Sequence, residues 1–226
     1  MVSLFLGQMI ADTFMGLHVL ETLALVPYQF FERHAFWQLF TYSFVHGDFF
    51  HVLFNLLVLW MIGSELEAIW GWKSFLRYYL ICSVSAGFFY LAVQIFFRGT
   101  SFQYVPLVGS SGAVYGLLTA YAILFSERML LFMMVFPMKA KHFMLLLAAI
   151  EFISTVFYGR SGIANIAHIG GMIVGFFALF FQAWFRMRKR MPKKKKKGKG
   201  KLRLVVNNEV INEFDSDEDE NKPTFH

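Results

Sequence analysis

The chain has 226 residues, of which 57% are hydrophobic, 29 are Phe and only 16% are charged. Thirteen of the 21 Lys and Arg lie from Arg186 onward, which leaves the first 185 residues as an apolar, charge-poor block. That composition excludes a soluble globular domain, because apolar runs of about 20 residues mark membrane helices. The single cysteine, Cys82, excludes an internal disulfide.

Val2 to Ala11 is apolar but too short to cross a bilayer alone, and Asp12 follows it at once. It lacks the basic start and small-residue cleavage site of a signal peptide. It reads as the end of a first span whose beginning is missing, or as a helix that Met15 to Leu25 continues. Leu17 to Val45 mixes Glu21, Glu32, Arg33 and Pro27 with many aromatic rings, the composition of a loop lying in the membrane interface. Span 2 is predicted from about Phe49 to Ile69, span 3 over Phe75 to Phe97, and span 4 over Tyr104 to Phe125. Met129 to Phe136 stops at Pro137 and reads as an interfacial stretch. Span 5, His142 to Phe157, and span 6, Ile163 to Phe185, complete a six-span, all-α polytopic membrane protein.

Lys73, Arg128, Lys139 and Lys141 fall in the 2–3 and 4–5 loops, and Arg186 to Arg190 follow span 6. By the positive-inside rule both termini are expected on the cytoplasmic side. Residues 1–185 thus form a membrane domain, and residues 186–226 a disordered cytoplasmic tail, basic at Lys193 to Lys197 and acidic at Asp215 to Glu220. The basic half suits anionic lipid headgroups. The flanking span argues against nucleic acid.

Polar residues within spans are expensive and each needs an account. His51 and Asn55, at i and i+4, share one face at the start of span 2. Ser111 is expected about two turns into span 4, and His168 about a turn and a half into span 6. All even-numbered spans enter from the same side, so these four residues are expected at similar depth. Gly112 with Gly116, and Gly171 with Gly175, make small-residue faces that let spans 4 and 6 approach closely. That contact would bring His168 to Ser111, with Tyr115 placed to support the imidazole.

A serine hydroxyl becomes a nucleophile when a base takes its proton, and His168 is the candidate base. His51, Asn55 and the backbone N–H of Ser111 are candidate donors to the oxyanion formed when a carbonyl is attacked. No acidic residue is placed to complete a triad: Asp48 and Asp12 lie near the surface without a recommending spacing. The pair reads as a Ser–His dyad needing no cofactor and no metal. A histidine-based metal site is the competing reading, and no carboxylate, thiol or His-Glu-x-x-His pattern supports it.

These residues resemble the rhomboid family of intramembrane serine proteases. The resemblance rests on Gly109-x-Ser111-Gly112, on His46-x4-His51-x3-Asn55, and on Ala167-His168-x-x-Gly171-x-x-x-Gly175, in family order from about Trp37 to Phe185. It implies a six-helix rhomboid-like bundle that hydrolyses peptide bonds in or near the transmembrane helices of other membrane proteins. Ser111 would be nucleophile and His168 base, with His51 and Asn55 flanking the oxyanion and His46 structuring the mouth of the site. Span 5 and the loop Tyr158 to Gly162 would act as gate and cap. The family often has Trp-Arg where this chain has Trp37-Gln38, so a loop-anchoring arginine is absent. No seventh span is apparent, which favours the bacterial form, in the inner membrane with its site opening outward. A relative that binds membrane clients without cutting them is the alternative from another class, although such proteins usually lack the serine or the histidine.

Overall fold

The computed structural model describes residues 2–132, 135–157, 164–190, 203–206 and 209–213. In chain order the elements are α1 (Val2–Phe14), α2 (Val19–Leu23), α3 (Pro27–Glu32), α4 (Gln38–Thr41), α5 (Phe49–Val58), α6 (Ser64–Trp70), α7 (Trp72–Gln94) and α8 (Ser111–Leu124). The hairpin β1 (Met129–Phe132) and β2 (Phe136–Lys139) follows, then α9 (Ala140–Phe157), α10 (Asn165–Arg190), β3 (Arg203–Val206) and β4 (Glu209–Glu213). Helices α5 and α6 are joined by one π-helical turn, Leu59–Gly63, into a continuous span.

Four helical segments are long and apolar enough to cross a membrane: Phe49–Trp70, Trp72–Phe97, Ala140–Phe157 and Asn165–Phe185. Val2–Phe14 and Ser111–Leu124 are shorter apolar helices. Large apolar side chains such as Trp60, Phe88, Phe152 and Phe177 stay exposed on them, as a lipid-facing surface requires. The chain is an integral, multi-pass membrane protein with an all-α membrane domain.

Between lipid-bathed helices there is no hydrophobic driving force, so close packing and internal hydrogen bonds must hold the bundle. Glycines supply the packing here. A Cβ on Gly171 would lie 2.0 Å from the Gly112 carbonyl oxygen, and one on Gly175 would lie 2.8 Å from the Gly116 Cα. The backbones of α8 and α10 therefore touch directly, as the glycine spacing predicts. Buried tyrosines supply the bonds: the Tyr78 hydroxyl of α7 lies 2.9 Å from the Gly116 carbonyl and 2.8 Å from that of Gly175, joining three helices at one point. The Tyr42 hydroxyl donates to the Ser83 carbonyl at 2.6 Å.

The interfacial region holds three short helices, and its anchor is Gln38. This residue is fully buried; its Oε1 accepts from the Val26 N–H at 3.0 Å, and its Nε2 donates to the Thr22 carbonyl at 3.2 Å and to Gln29 Oε1 at 2.6 Å. Where the resemblance led us to expect a missing arginine anchor, a glutamine amide does the tying. Helix α1 ends at Phe14 and is not continued by Met15 to Leu25: Gly16 and His18 have φ of 61° and 49°, which break the helix. The Gln8 side chain of α1 reads the backbone of His46, donating to its carbonyl at 3.0 Å and accepting from its N–H at 3.2 Å.

Three sequence expectations shift. Met129–Phe132 pairs antiparallel with Phe136–Lys139, with Glu127 at the base paired to Lys139 at 2.7 Å and to Lys141. Those two ammonium groups hold the Glu127 carboxyl down to about 2. Span 6 continues as helix to Arg190, past the expected end at Phe185. In the segment read as disordered, Arg203–Val206 pairs antiparallel with Glu209–Glu213; the adjacent β-branched pairs Val205-Val206 and Val210-Ile211, with Asn207-Asn208 between them, are a strand signal that the surrounding charge obscures. The Lys193 to Lys197 and Asp215 to Glu220 runs, and the expected cap Tyr158 to Gly162, lie outside the described residues.

Candidate active site

The site lies where α5, α8 and α10 begin. Helix α8 starts at Ser111 itself, with Ser110 as its cap, so Ser111 is not two turns inside a span. The reason is local: Pro106 lacks an amide proton and Gly109 has φ of 95°, so the chain from Val105 descends in extended form before it can turn helical. Extended backbone needs partners, and the interfacial region supplies them. Leu25 and Leu107 exchange two backbone bonds of 2.9 Å, and the Gly109 N–H donates to the Tyr42 carbonyl at 2.9 Å. His168 falls in the first turn of α10, because that helix begins at Asn165.

The Ser111 Oγ lies 2.7 Å from His168 Nε2, within hydrogen-bond distance of a base that would take its proton. The Tyr115 ring stacks on His168 with centroids 4.6 Å apart and planes 17° from parallel. Ser111 is buried, and the His168 side chain is only 19% exposed.

On the other side of Ser111, a Cβ at Gly109 would lie 2.6 Å from the His51 ring and 3.6 Å from Asn55 Nδ2. Only glycine fits there, and its absent side chain lets both donors approach the loop just before the serine. Asp48 caps α5 by accepting the His51 N–H at 2.8 Å, which fixes the first turn that carries these side chains. Asn55 is buried, and its Nδ2 makes no hydrogen bond within the protein. A buried amide donor left unpaired costs stability unless something else takes the bond, and a developing oxyanion is a suitable acceptor. The starts of α5, α8 and α10 also bring three positive helix ends to one place.

His46 is fully buried outside the helices, its ring edge-on to His51 at 5.1 Å between centroids. Burial, and then the neighbouring His51, push its imidazole down to about 4. Neither of its ring nitrogens makes a hydrogen bond.

One site residue escaped the sequence reading. Glu151 of α9, buried among apolar neighbours, places Oε2 at 3.1 Å from His168 Nδ1, and the Tyr115 hydroxyl donates to its Oε1. An acid does join the pair, contrary to the spacing-based expectation of a dyad without one. The sequence signal is an ionisable residue inside an apolar span, which marks a functional site by default. Asp12 and Asp48 are helix-cap residues, Asp12 accepting the Val19 N–H. Among the described residues no three His, Cys, Asp or Glu side chains gather as metal ligands.

The bundle buries a serine–histidine contact at its helix starts, an arrangement in which a base can take the proton of a serine hydroxyl. Comparison with known proteins gives the family. The Rhomboid domain model matches residues 33–185. The chain is similar to the rhomboid protease GluP of Bacillus subtilis, 31% identical over 63% of this chain and 25% of the relative. It is similar to the rhomboid protease GlpG of Pectobacterium atrosepticum, 30% identical over 66% and 49%. It also resembles the mitochondrial Rhomboid protein 1 of Saccharomyces cerevisiae, 28% identical over 59% and 38%. The chain belongs to the rhomboid family; it spans half or less of the length of these relatives.

Proposed function

We propose that this protein is an intramembrane serine endopeptidase that cleaves transmembrane segments of other membrane proteins. The observation that carries the reading is the 2.7 Å contact between Ser111 Oγ and His168 Nε2 inside an apolar bundle of this family. Ser111 attacks the scissile carbonyl while His168 Nε2 takes its proton. The resulting oxyanion is met by the His51 ring, Asn55 Nδ2 and the Ser111 N–H. His168 then gives its proton to the leaving amine and an acyl-serine remains. Water, deprotonated by the same nitrogen, hydrolyses that ester and restores Ser111. His46 supports His51 from behind, and Gly109, Gly112, Gly171 and Gly175 permit the close approaches.

The basic loop residues Lys73, Arg128, Lys139 and Lys141 support cytoplasmic termini and a site opening to the opposite side, as in a bacterial inner membrane. The lysine run after span 6 supports contact with anionic lipid.

The test is labelling of detergent-solubilised protein with a fluorophosphonate serine probe, beside Ser111→Ala and His168→Ala. We expect labelling of the wild type and none in either variant. A folded wild-type protein that does not label would overturn the protease reading in favour of a client-binding relative.

A further inference from the structure

We propose that Glu151 completes a triad with Ser111 and His168, as the positioning residue that holds the His168 proton on Nδ1 and leaves Nε2 free to take the serine proton. The inference rests on the protease reading above and changes its chemistry from a dyad to a triad.

Three observations carry it. First, Glu151 is the only Asp or Glu in the apolar helix α9, and it is 7% exposed. A carboxylate there is retained against a desolvation cost, so its partners define its purpose. Second, those partners both belong to the site. Oε2 faces His168 Nδ1 at 3.1 Å, and Oε1 accepts from the Tyr115 hydroxyl. Third, Tyr115 also stacks on His168. One carboxylate therefore fixes the imidazole edge and, through Tyr115, the imidazole face.

The chemistry follows from which nitrogen carries the proton. Nε2 can accept from Ser111 only if the single proton of the neutral ring sits on Nδ1. Nδ1 points into the sealed side of the site, where Glu151 Oε2 is the charged acceptor that favours this tautomer. When Nε2 takes the serine proton the ring becomes a cation, and a carboxylate 3.1 Å away stabilises that charge as it forms. In the resting geometry neither Nδ1 nor Oε2 makes an aligned hydrogen bond, so the contact is electrostatic at rest. Catalytic hydrogen bonds are often loose in the free enzyme and tighten on the reaction path. No proton need pass to Glu151. The charged and titratable groups around the imidazole, among the described residues, are Tyr115 of α8, Glu151 of α9 and His51 of α5.

The experiment compares wild type with Glu151→Gln and Glu151→Asp in detergent, by two readouts. Fluorophosphonate labelling should slow by roughly 100-fold in Glu151→Gln, short of the loss known for an aligned triad carboxylate. Labelling should recover in part in Glu151→Asp, which restores the charge. The second readout does not need activity. With 15N-labelled histidine in a Ser111→Ala background, NMR should show His168 protonated on Nδ1, and Glu151→Gln should shift the ring toward the Nε2-protonated tautomer. Labelling in Glu151→Gln within about twofold of wild type, or an unchanged tautomer, overturns the proposal. A slow Glu151→Gln with the wild-type tautomer assigns Glu151 to packing and overturns it equally. If wild type itself does not label, the protease reading falls, while the tautomer comparison still decides whether Glu151 orients His168.

Discussion

Replacing Gly171 with alanine tests whether the bundle and the site are one mechanical unit. The added Cβ would stand 2.0 Å from the Gly112 carbonyl oxygen, 2.8 Å from its carbon and 3.1 Å from its Cα. All three are backbone atoms, so no side chain can rotate away. Restoring an ordinary contact of 3.4 Å takes about 1.4 Å of separation between α8 and α10. Gly112 follows Ser111, and His168 lies one turn before Gly171, so the separation opens at the Ser111–His168 contact. A fraction of it moves Ser111 Oγ and His168 Nε2 from 2.7 Å past the hydrogen-bond limit of about 3.2 Å. Overpacking of this kind costs about 1–3 kcal/mol of stability, and an ångström of misplacement costs about 100-fold in rate. We therefore expect Gly171→Ala to melt lower in detergent and to label with a fluorophosphonate at least ~100-fold more slowly. Gly7→Ala is the control, because a Cβ there meets nothing within 4 Å in an exposed helix face; it should match or slightly exceed wild-type stability. Wild-type labelling in Gly171→Ala would refute the close-contact account of the site.

Asn55→Ala removes one of three donors to the oxyanion, so kcat for a transmembrane substrate should fall by about 10- to 100-fold with KM little changed; complete loss, equal to Ser111→Ala, would contradict the sharing. Gln38→Leu strands the buried Val26 N–H, which costs about 1–3 kcal/mol and should appear as a lower melting temperature and faster proteolysis within residues 17–45; the Thr22 carbonyl keeps the Trp37 indole N–H. The buried, neutral His46 gives a pH dependence whose sign is fixed. Its folded value is about 4 against an ordinary 6.5, so its contribution is complete above 6.5 and is lost as pH falls from 6.5 toward 4. Thermal unfolding over that range should lose on the order of 2 kcal/mol in wild type, and His46→Asn should flatten the slope.

The serine, the histidine, the stacking tyrosine and the glycine faces were legible because each sits in a short pattern whose helical spacing is unambiguous. Residues i, i+3 and i+4 share a face whatever the rest of the chain does. Glu151 is invisible to a comparison of depths at span starts. Helix α9 runs opposite to α8 and α10, so its residue at the site lies late in the span. Glu151 is eleven residues past Ala140, about 16 Å along the axis at 1.5 Å per residue. That places it near the end of the bundle where His168 begins α10. A search for charges at matching depth in antiparallel spans would have reached it. The start of α8 was misjudged for a different reason: apolar composition does not separate helix from buried extended chain, and Pro106 was the available warning.

That extended stretch ties the architecture together. Non-helical backbone at membrane depth survives only where other parts of the protein satisfy it. Val105 to Ser110 leads the chain to Ser111 at the start of α8, and its bonds run to Leu25 and Tyr42 of the interfacial region. The Tyr90 hydroxyl of α7 donates to the Val105 carbonyl at 2.7 Å and closes the other end. The interfacial helices are therefore part of the support for Ser111 rather than an appendage to the bundle. Gln38 holds those helices together, Gln8 ties α1 to His46, and His46 packs on His51. A chain of contacts thus runs from the first helix to the residues beside Ser111: two hydrogen bonds from Gln8 to the His46 backbone, then the edge-on packing of the His46 ring on His51.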